Sequence, residues 1–146
     1  MSKPYILLVE DNPDDVELTR RAFAKNHIAN DVVVLNDGAQ AVEFLFGDRN
    51  GRGLPQVILL DLKLPKVSGL EVLEQIRGSE ACRLIPTVIL TSSKQEEDLL
   101  EGYRLGVNSY VRKPVDFNEF VEAVRQVGLY WLVLNEGPPS GMGGGM

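Results

Sequence analysis

One histidine, one cysteine and one tryptophan are spread over 146 residues. With Cys82 alone, no internal disulfide can form, and a reducing compartment is the natural expectation. His27 and Cys82 by themselves cannot build a zinc or iron centre. Basic residues are scarce beside acidic ones, 15 against 21, which leaves a net charge of −6. Such a surface works against direct DNA binding, which needs a basic face. No apolar run approaches membrane-spanning length. The N-terminal run from Tyr5 to Val9 is short and leads straight into acids, so it does not read as a signal peptide. The expected location is the cytoplasm.

What the chain does have is a set of buried-strand runs that finish in chemically useful side chains. Val57-Ile58-Leu59-Leu60 passes directly into Asp61, with Pro65 shortly after. Continuous apolar runs of this kind mark strands covered on both faces, as in a parallel sheet between helices. Tyr5-Ile6-Leu7-Leu8-Val9 ends in Glu10-Asp11, and Thr87-Val88-Ile89-Leu90 ends in Thr91-Ser92-Ser93. Val107-Asn108-Ser109-Tyr110-Val111 ends in Arg112-Lys113-Pro114, and Asp31-Val32-Val33-Val34-Leu35 is a further strand. A lone aspartate at a strand end is commonly just a cap. Acids, a hydroxyl and a lysine at corresponding ends of several strands point to a site, because ligands bind at that edge of an open α/β sheet.

Helix signals alternate with the strands. Asn12 as N-cap, Pro13 at the first helical position and Asp14-Asp15 behind it start the first helix, with Val16, Leu18, Thr19, Ala22 and Phe23 as its inward arc. Asp37 with Gln40 starts the second, expected to carry Ala41, Val42, Leu45 and Phe46 inward. Ser68-Gly69-Leu70-Glu71 is a capping box opening the third, with Leu70, Leu73 and Ile76 buried and Gly78 ending it. Ser93 with Glu96 opens a fourth helix that runs to Gly106 with Leu99, Leu100, Tyr103 and Leu105, and Asp116 with Glu119 opens a fifth. The alternation is that of an α/β fold with a parallel sheet between two helical layers. The glycine-rich stretch 47–53 lacks a Gly-Lys-Ser/Thr ending and leads into a strand, so it reads as a flexible connection and not as a phosphate cradle.

The fifth helix is apolar on more than one side. Phe117, Phe120, Val121, Val124, Val127 and Trp131 make a core stripe, while Leu129 and Val133 fall opposite it. The stretch from Leu129 to Leu134 is therefore expected to pack against something outside its own domain. That domain is expected to span residues 1–134, with 135–146 a flexible tail rich in proline and glycine.

If Glu10, Asp11 and Asp61 meet at neighbouring strand ends, the carboxylates repel and raise one another's pKa, and they demand a cation. Oxygen ligands with room for water suit Mg²⁺. An aspartate beside Mg²⁺, with Lys113 and Thr91 close by, is arranged for phosphoryl transfer. The carboxylate attacks in line, metal and lysine neutralise the equatorial oxygens, and the hydroxyl donates to one of them. Taken alone, Lys113 is more often a surface lysine, and Tyr110 a half-buried strand aromatic.

Val9-Glu10-Asp11-Asn12 with Pro13-Asp14-Asp15, Leu60-Asp61-Leu62 with Leu64-Pro65 and Gly69, Leu90-Thr91-Ser92, and Tyr110 with Lys113-Pro114 follow one another in a specific order. In these motifs the chain resembles the receiver domain of two-component response regulators, over nearly all its length to about Leu134. The resemblance implies a flavodoxin-like (βα)5 sandwich of sheet order 2-1-3-4-5. It implies that Asp61 accepts a phosphoryl group from a sensor histidine kinase, with Mg²⁺ held by Glu10, Asp11 and Asp61 and by the Lys63 backbone carbonyl. Lys113 would pair with the phosphoryl group. The protein would then be a phosphoacceptor that promotes its own phosphorylation and autodephosphorylation, and not an enzyme in the ordinary sense. Thr91 and Tyr110 match the family's switch pair, whose movement remodels the face of the fourth helix, fifth strand and fifth helix. Ser92 stands where many members have alanine, a mild departure.

With no output domain expected after the fifth helix, the chain resembles single-domain regulators. Its Glu10-Asp11-Asn12-Pro13 start, long 47–53 loop and Tyr130-Trp131-Leu132 ending look most like those partnered with phytochrome kinases. That implies a phytochrome partner and a homodimer through Leu129, Tyr130, Trp131 and Val133. Rival readings fare worse. A phosphatase of the haloacid dehalogenase type needs an acid two residues after the nucleophile, where this chain has Lys63. A flavodoxin-like cofactor binder needs a phosphate loop after the first strand, where Glu10-Asp11 would repel the phosphate. A receiver-like module that is never phosphorylated predicts a missing site residue, and none is missing.

Overall fold

The computed structural model describes residues 4–25, 30–92, 94–97, 109–113, 116, 118–120 and 122. The apolar runs form the strands β1 (Tyr5–Val9), β2 (Asp31–Leu35), β3 (Val57–Asp61), β4 (Thr87–Thr91) and β5 (Ser109–Arg112). All pair in parallel, in the order β2-β1-β3-β4-β5. β1, β3 and β4 are buried at every residue, whereas the edge strands β2 and β5 are only partly covered. This is the three-layer, flavodoxin-like arrangement that the sequence implied. It follows from runs that are continuously apolar through the middle of the central strands and interrupted by polar residues at the β5 edge.

Three helices are described along most of their length: α1 (Pro13–Lys25), α2 (Gly38–Phe46) and α3 (Gly69–Arg77). Strand alternation sorts the core between the two faces of the sheet. Tyr5, Leu7, Val9, Ile58, Leu60 and Ile89 pack with α2 and α3. Ile6, Leu8, Val57, Leu59, Val88 and Leu90 pack with Phe23 of α1 and with Phe120. Phe23 and Phe120 meet at 4.6 Å between ring centroids, which ties α1 to the last described helical turn.

The helix starts behave as their sequences require. The Asn12 side chain accepts from the Asp14 and Asp15 amides at 2.8 and 3.3 Å, Asp37 accepts from Gln40 at 2.8 Å, and Ser68 with Glu71 forms a reciprocal capping box. Asp116 accepts from the Asn118 and Glu119 amides. The inward arcs need correction. Leu18 is exposed, because it lies about 100° behind Thr19 on an arc centred near Thr19 and Phe23. In α2, Phe44 is buried edge-on against Tyr5 while Phe46 is exposed. In α3, Val72 joins Leu73 and Ile76 in the core, and Leu70 is only half-buried.

The stretch 47–53, expected to be a flexible connection, holds a single 3-10 turn, Arg49–Gly51. Arg49 donates to the Leu45 carbonyl at 3.0 Å and the Tyr5 hydroxyl to the Gly53 carbonyl at 2.6 Å, so both ends of the loop are tied to the body. Gly69 is required by close approach, since a Cβ there would overlap the Asp61 carbonyl oxygen and the Leu62 backbone. Residues 94–97 are helical. His27, Ser93, Pro114, most of the fourth helix from Leu99 on, the fifth helix after Glu122 and the tail at 135–146 lie outside the described residues. Among the described residues no helix is long and apolar enough to cross a membrane.

Candidate functional site

The carboxyl edge of the sheet gathers the residues that the sequence singled out. Register does the placing: Val9 pairs with Leu60, Asp61 with Leu90, and Thr91 with Arg112. Glu10, Asp61, Thr91 and Lys113 are thus brought side by side from positions as far as 103 residues apart. Glu10 and Asp61 are buried and Asp11 is exposed beside them.

Lys113 is the hub. Its ammonium reaches Asp61 Oδ2 at 3.2 Å, Glu10 Oε1 at 3.3 Å and Asp15 Oδ2 at 3.4 Å. Its own amide donates to the Thr91 carbonyl at 2.8 Å, which holds the loop after β5 in place. The second Asp61 oxygen, Oδ1, accepts from the Lys63 amide at 3.2 Å, and Glu10 Oε2 accepts from the Asn12 amide at 3.1 Å. Lys63 therefore meets Asp61 through its N–H, while its side chain turns away to Glu96 at 3.1 Å.

The electrostatics follow from burial and crowding. Burial pushes the Glu10 carboxyl up to about 7, with the neighbouring Asp61 charge adding to the rise and the Asn12 amide and Lys113 opposing it. Burial also raises Asp61, against the pull of Lys113. Burial alone would lower Lys113, but Asp61 and Glu10 outweigh it and hold the ammonium above its ordinary range. Too little positive charge for this much carboxylate is a standing demand for a cation. Glu10, Asp11 and Asp61 each offer an oxygen, and these lie within 4.8 Å of one another. An all-oxygen set of that size suits a hard divalent metal.

Thr91 is buried, and its Oγ1 has no hydrogen-bond partner among the described residues. A buried hydroxyl left unpaired costs about 1–3 kcal/mol. By strand alternation Thr91 shares the face of Ile89. Tyr110 packs on the same cluster, and its hydroxyl donates to the Glu97 carbonyl at 3.5 Å. The expected interface residues Leu129, Tyr130, Trp131 and Val133 lie outside the described residues.

Two features escaped the sequence reading. Asp15 reads there only as a first-turn acid, yet it bonds Lys113. Its place after Asn12-Pro13 in a helix facing the site was the available signal. Glu96 reads there as the capping partner of Ser93, yet its carboxylate accepts from the Ser92 amide at 2.8 Å and the Ser92 hydroxyl at 3.0 Å.

Comparison with known proteins bears on the family of the chain. The profile of the response regulator receiver domain matches residues 6–125. The solved structure of the bacteriophytochrome response regulator AtBRR is 53% identical, with a TM-score of 0.83, covering 93% of this chain and 99% of that one. A probable methanogenesis regulatory protein, FilR2 of Methanothrix harundinacea, is 44% identical over 91% of this chain and 86% of its own length. The response regulator Rcp1 of Synechocystis is 36% identical over 87% of this chain and 88% of its own length. Its Mn²⁺-bound crystal structure superposes with a TM-score of 0.70, covering 88% of this chain and 94% of that one.

Proposed function

The chain belongs to the response regulator receiver family, and from that premise we propose that Asp61 is its phosphoacceptor, served by Lys113 and Thr91. The observation that carries this reading is the convergence of Lys113 on Asp61 beside a buried Thr91 hydroxyl with no partner among the described residues. A nucleophilic carboxylate, a fixed cation and an idle donor are the parts that in-line phosphoryl transfer needs.

In this reading an Asp61 carboxylate oxygen attacks phosphorus as the bond from phosphorus to its donor breaks. The donor is a phosphohistidine of a sensor kinase, and the product is an acyl phosphate. Lys113 is already within reach of Asp61 and shifts from carboxylate to phosphoryl oxygen without moving far. Thr91 supplies a hydrogen bond from a hydroxyl that has no partner among the described residues. Family membership implies a divalent metal, and the donor set fits one. Glu10, Asp11 and Asp61, completed by the Lys63 carbonyl, would hold it as Mg²⁺, where it would neutralise charge on the transferred group. Autodephosphorylation reverses the logic: water attacks phosphorus, and Asp61 leaves as the carboxylate.

Drawing the Thr91 hydroxyl toward the phosphoryl group frees space on the face where Tyr110 packs. Tyr110 gives up its bond of 3.5 Å to Glu97 and turns inward, so that β5 and the helix beginning at residue 94 present a different surface. The likeness to AtBRR supports a phytochrome as the cognate kinase. The apolar Leu129, Tyr130, Trp131 and Val133 support a homodimer, with residues 1–134 as the receiver and 135–146 as a tail.

The test is intact-protein mass after incubation with acetyl phosphate and Mg²⁺. Wild type is expected to gain one phosphoryl group and Asp61→Asn none. No adduct with acetyl phosphate and no fluoride-dependent spectral change with beryllium fluoride would remove Asp61 as acceptor, as would equal adducts on both proteins.

A further inference from the structure

The loops that follow β3 and β4 leave the sheet directly after Asp61 and at Thr91, and one carboxylate fastens them together. Ser92 N–H donates to Glu96 Oε1 at 2.8 Å, Ser92 Oγ–H to Oε2 at 3.0 Å, and the Lys63 ammonium to Oε2 at 3.1 Å. The Glu96 side chain is 12% exposed and the Lys63 side chain 77%, so the anion is the buried member of the pair and the lysine the exposed one. An exposed lysine pair alone contributes little. An amide, a hydroxyl and an ammonium on one carboxylate form a charge-assisted set, and such bonds are the stronger ones.

These donors belong to residues next to the site. Ser92 follows Thr91, whose hydroxyl has no partner among the described residues, and Lys63 is the residue whose amide already bonds Asp61 at 3.2 Å. A phosphoryl group on Asp61 is a second anion presented to the same two loops. Resting on the reading of Asp61 as acceptor, we propose that Glu96 is a built-in stand-in for the phosphoryl group. In the unmodified protein its carboxylate holds the Ser92 and Lys63 donors, and phosphorylation of Asp61 moves them from Glu96 to the phosphoryl oxygens. Glu96 is then a positioning residue that resists phosphorylation until the stronger anion arrives, and its release loosens the helix it belongs to. The neighbouring Glu97 serves as an internal control, because its carboxylate pairs with Lys94 and Arg112, at 4.0 and 3.6 Å, and not with Ser92 or Lys63.

The experiment compares initial rates of adduct formation with sub-saturating acetyl phosphate and Mg²⁺ for wild type, Glu96→Gln and Glu97→Gln. Freeing the donors is expected to speed Glu96→Gln by roughly 3- to 10-fold, the scale of one charged hydrogen bond tempered by exposure. Glu97→Gln should stay within about twofold of wild type on the same reasoning. Equal acceleration by both variants would assign the effect to bulk charge and overturn the proposal, as would no acceleration by Glu96→Gln in a wild type that itself forms the adduct. Failure of the wild type to form any adduct would instead remove the acceptor reading beneath it. A second measurement needs no variant. The Ser92 amide resonance of the wild-type protein should shift on adding beryllium fluoride with Mg²⁺ as its partner changes, and an unshifted amide in a protein that binds the fluoride overturns the exchange.

Discussion

β4 begins and ends on threonine, and both threonines are fully buried. At the amino end, Thr87 Oγ1 donates to the Ile85 carbonyl at 3.1 Å. At the carboxyl end, Thr91 Oγ1 has no partner among the described residues. Several further side chains at the two ends of the sheet differ in a similar way. Around the amino end, Tyr5 bonds the Gly53 carbonyl, and Arg77 bonds the carbonyls of Arg83 and Ile85. In these bonds the acceptors are backbone carbonyls. At the carboxyl end the partners are charged side chains drawn from distant strands, with like charges crowded and one donor idle. One end is closed as structure, and the other stores an unmet demand that a phosphoryl group and a metal would satisfy.

The contrast breaks most sharply at glycine. Gly69→Ala would drive a Cβ into the Asp61 carbonyl and the Leu62 backbone, which cannot swing aside as a side chain would. A loss of about 3 kcal/mol is expected in chemical denaturation, with Asp61 phosphorylation impaired as well. Gly78, at the other end of α3, has φ −85° and room for a Cβ 3.4 Å from the Glu74 carbonyl. Gly78→Ala should change stability by no more than about 0.5 kcal/mol.

Next in size is a pH effect confined to the carboxyl end. The Glu10 carboxyl stands at about 7 in the folded chain against 4.5 unfolded. The folded state then holds a proton that the unfolded state has released. Its contribution is fully present below pH 4.5 and is lost as pH rises through about 7. Without metal, the melting temperature should fall across that window, by an amount corresponding to roughly 3 kcal/mol. Glu10→Gln should flatten the fall, and added Mg²⁺ should offset it at the upper end. A wild type and a Glu10→Gln variant with parallel pH profiles would contradict the assignment.

The smallest effect is the most direct comparison. Thr91→Val replaces the idle hydroxyl with a methyl group and should stabilise the protein by about 1 kcal/mol while slowing phosphorylation. Thr87→Val loses a made hydrogen bond, and should destabilise it by about 1 kcal/mol with phosphorylation unchanged. Shifts of the same sign at both positions would dissolve the distinction between the ends.

Much of this was legible beforehand. The strand runs, the caps at Asn12, Asp37, Ser68 and Asp116, and the set Glu10, Asp11, Asp61, Thr91 and Lys113 could all be read because each depends on local pattern. The inward faces of α1 and α2 were read less well. Leu18 and Phe46 are apolar yet exposed, and Phe44, at helical spacing from Ala41 and beside Leu45, is buried against Tyr5, so the centre of each inward arc was misplaced by about one residue.

The sequence by itself determined the alternation of strands and helices, the parallel sheet and the kinds of side chain at its carboxyl edge. Those follow from backbone propensity and hydrophobic period, which act over a few residues. Only the tertiary structure decided that Lys113 would bridge Asp61, Glu10 and Asp15, that the Thr91 hydroxyl would find no partner among the described residues, and that Glu96 would take Ser92 and Lys63. Hydrogen bonds of 3 Å depend on register and crossing geometry between elements far apart in the chain, and one residue of slip in β3 or β4 would turn Asp61 or Thr91 to the other face.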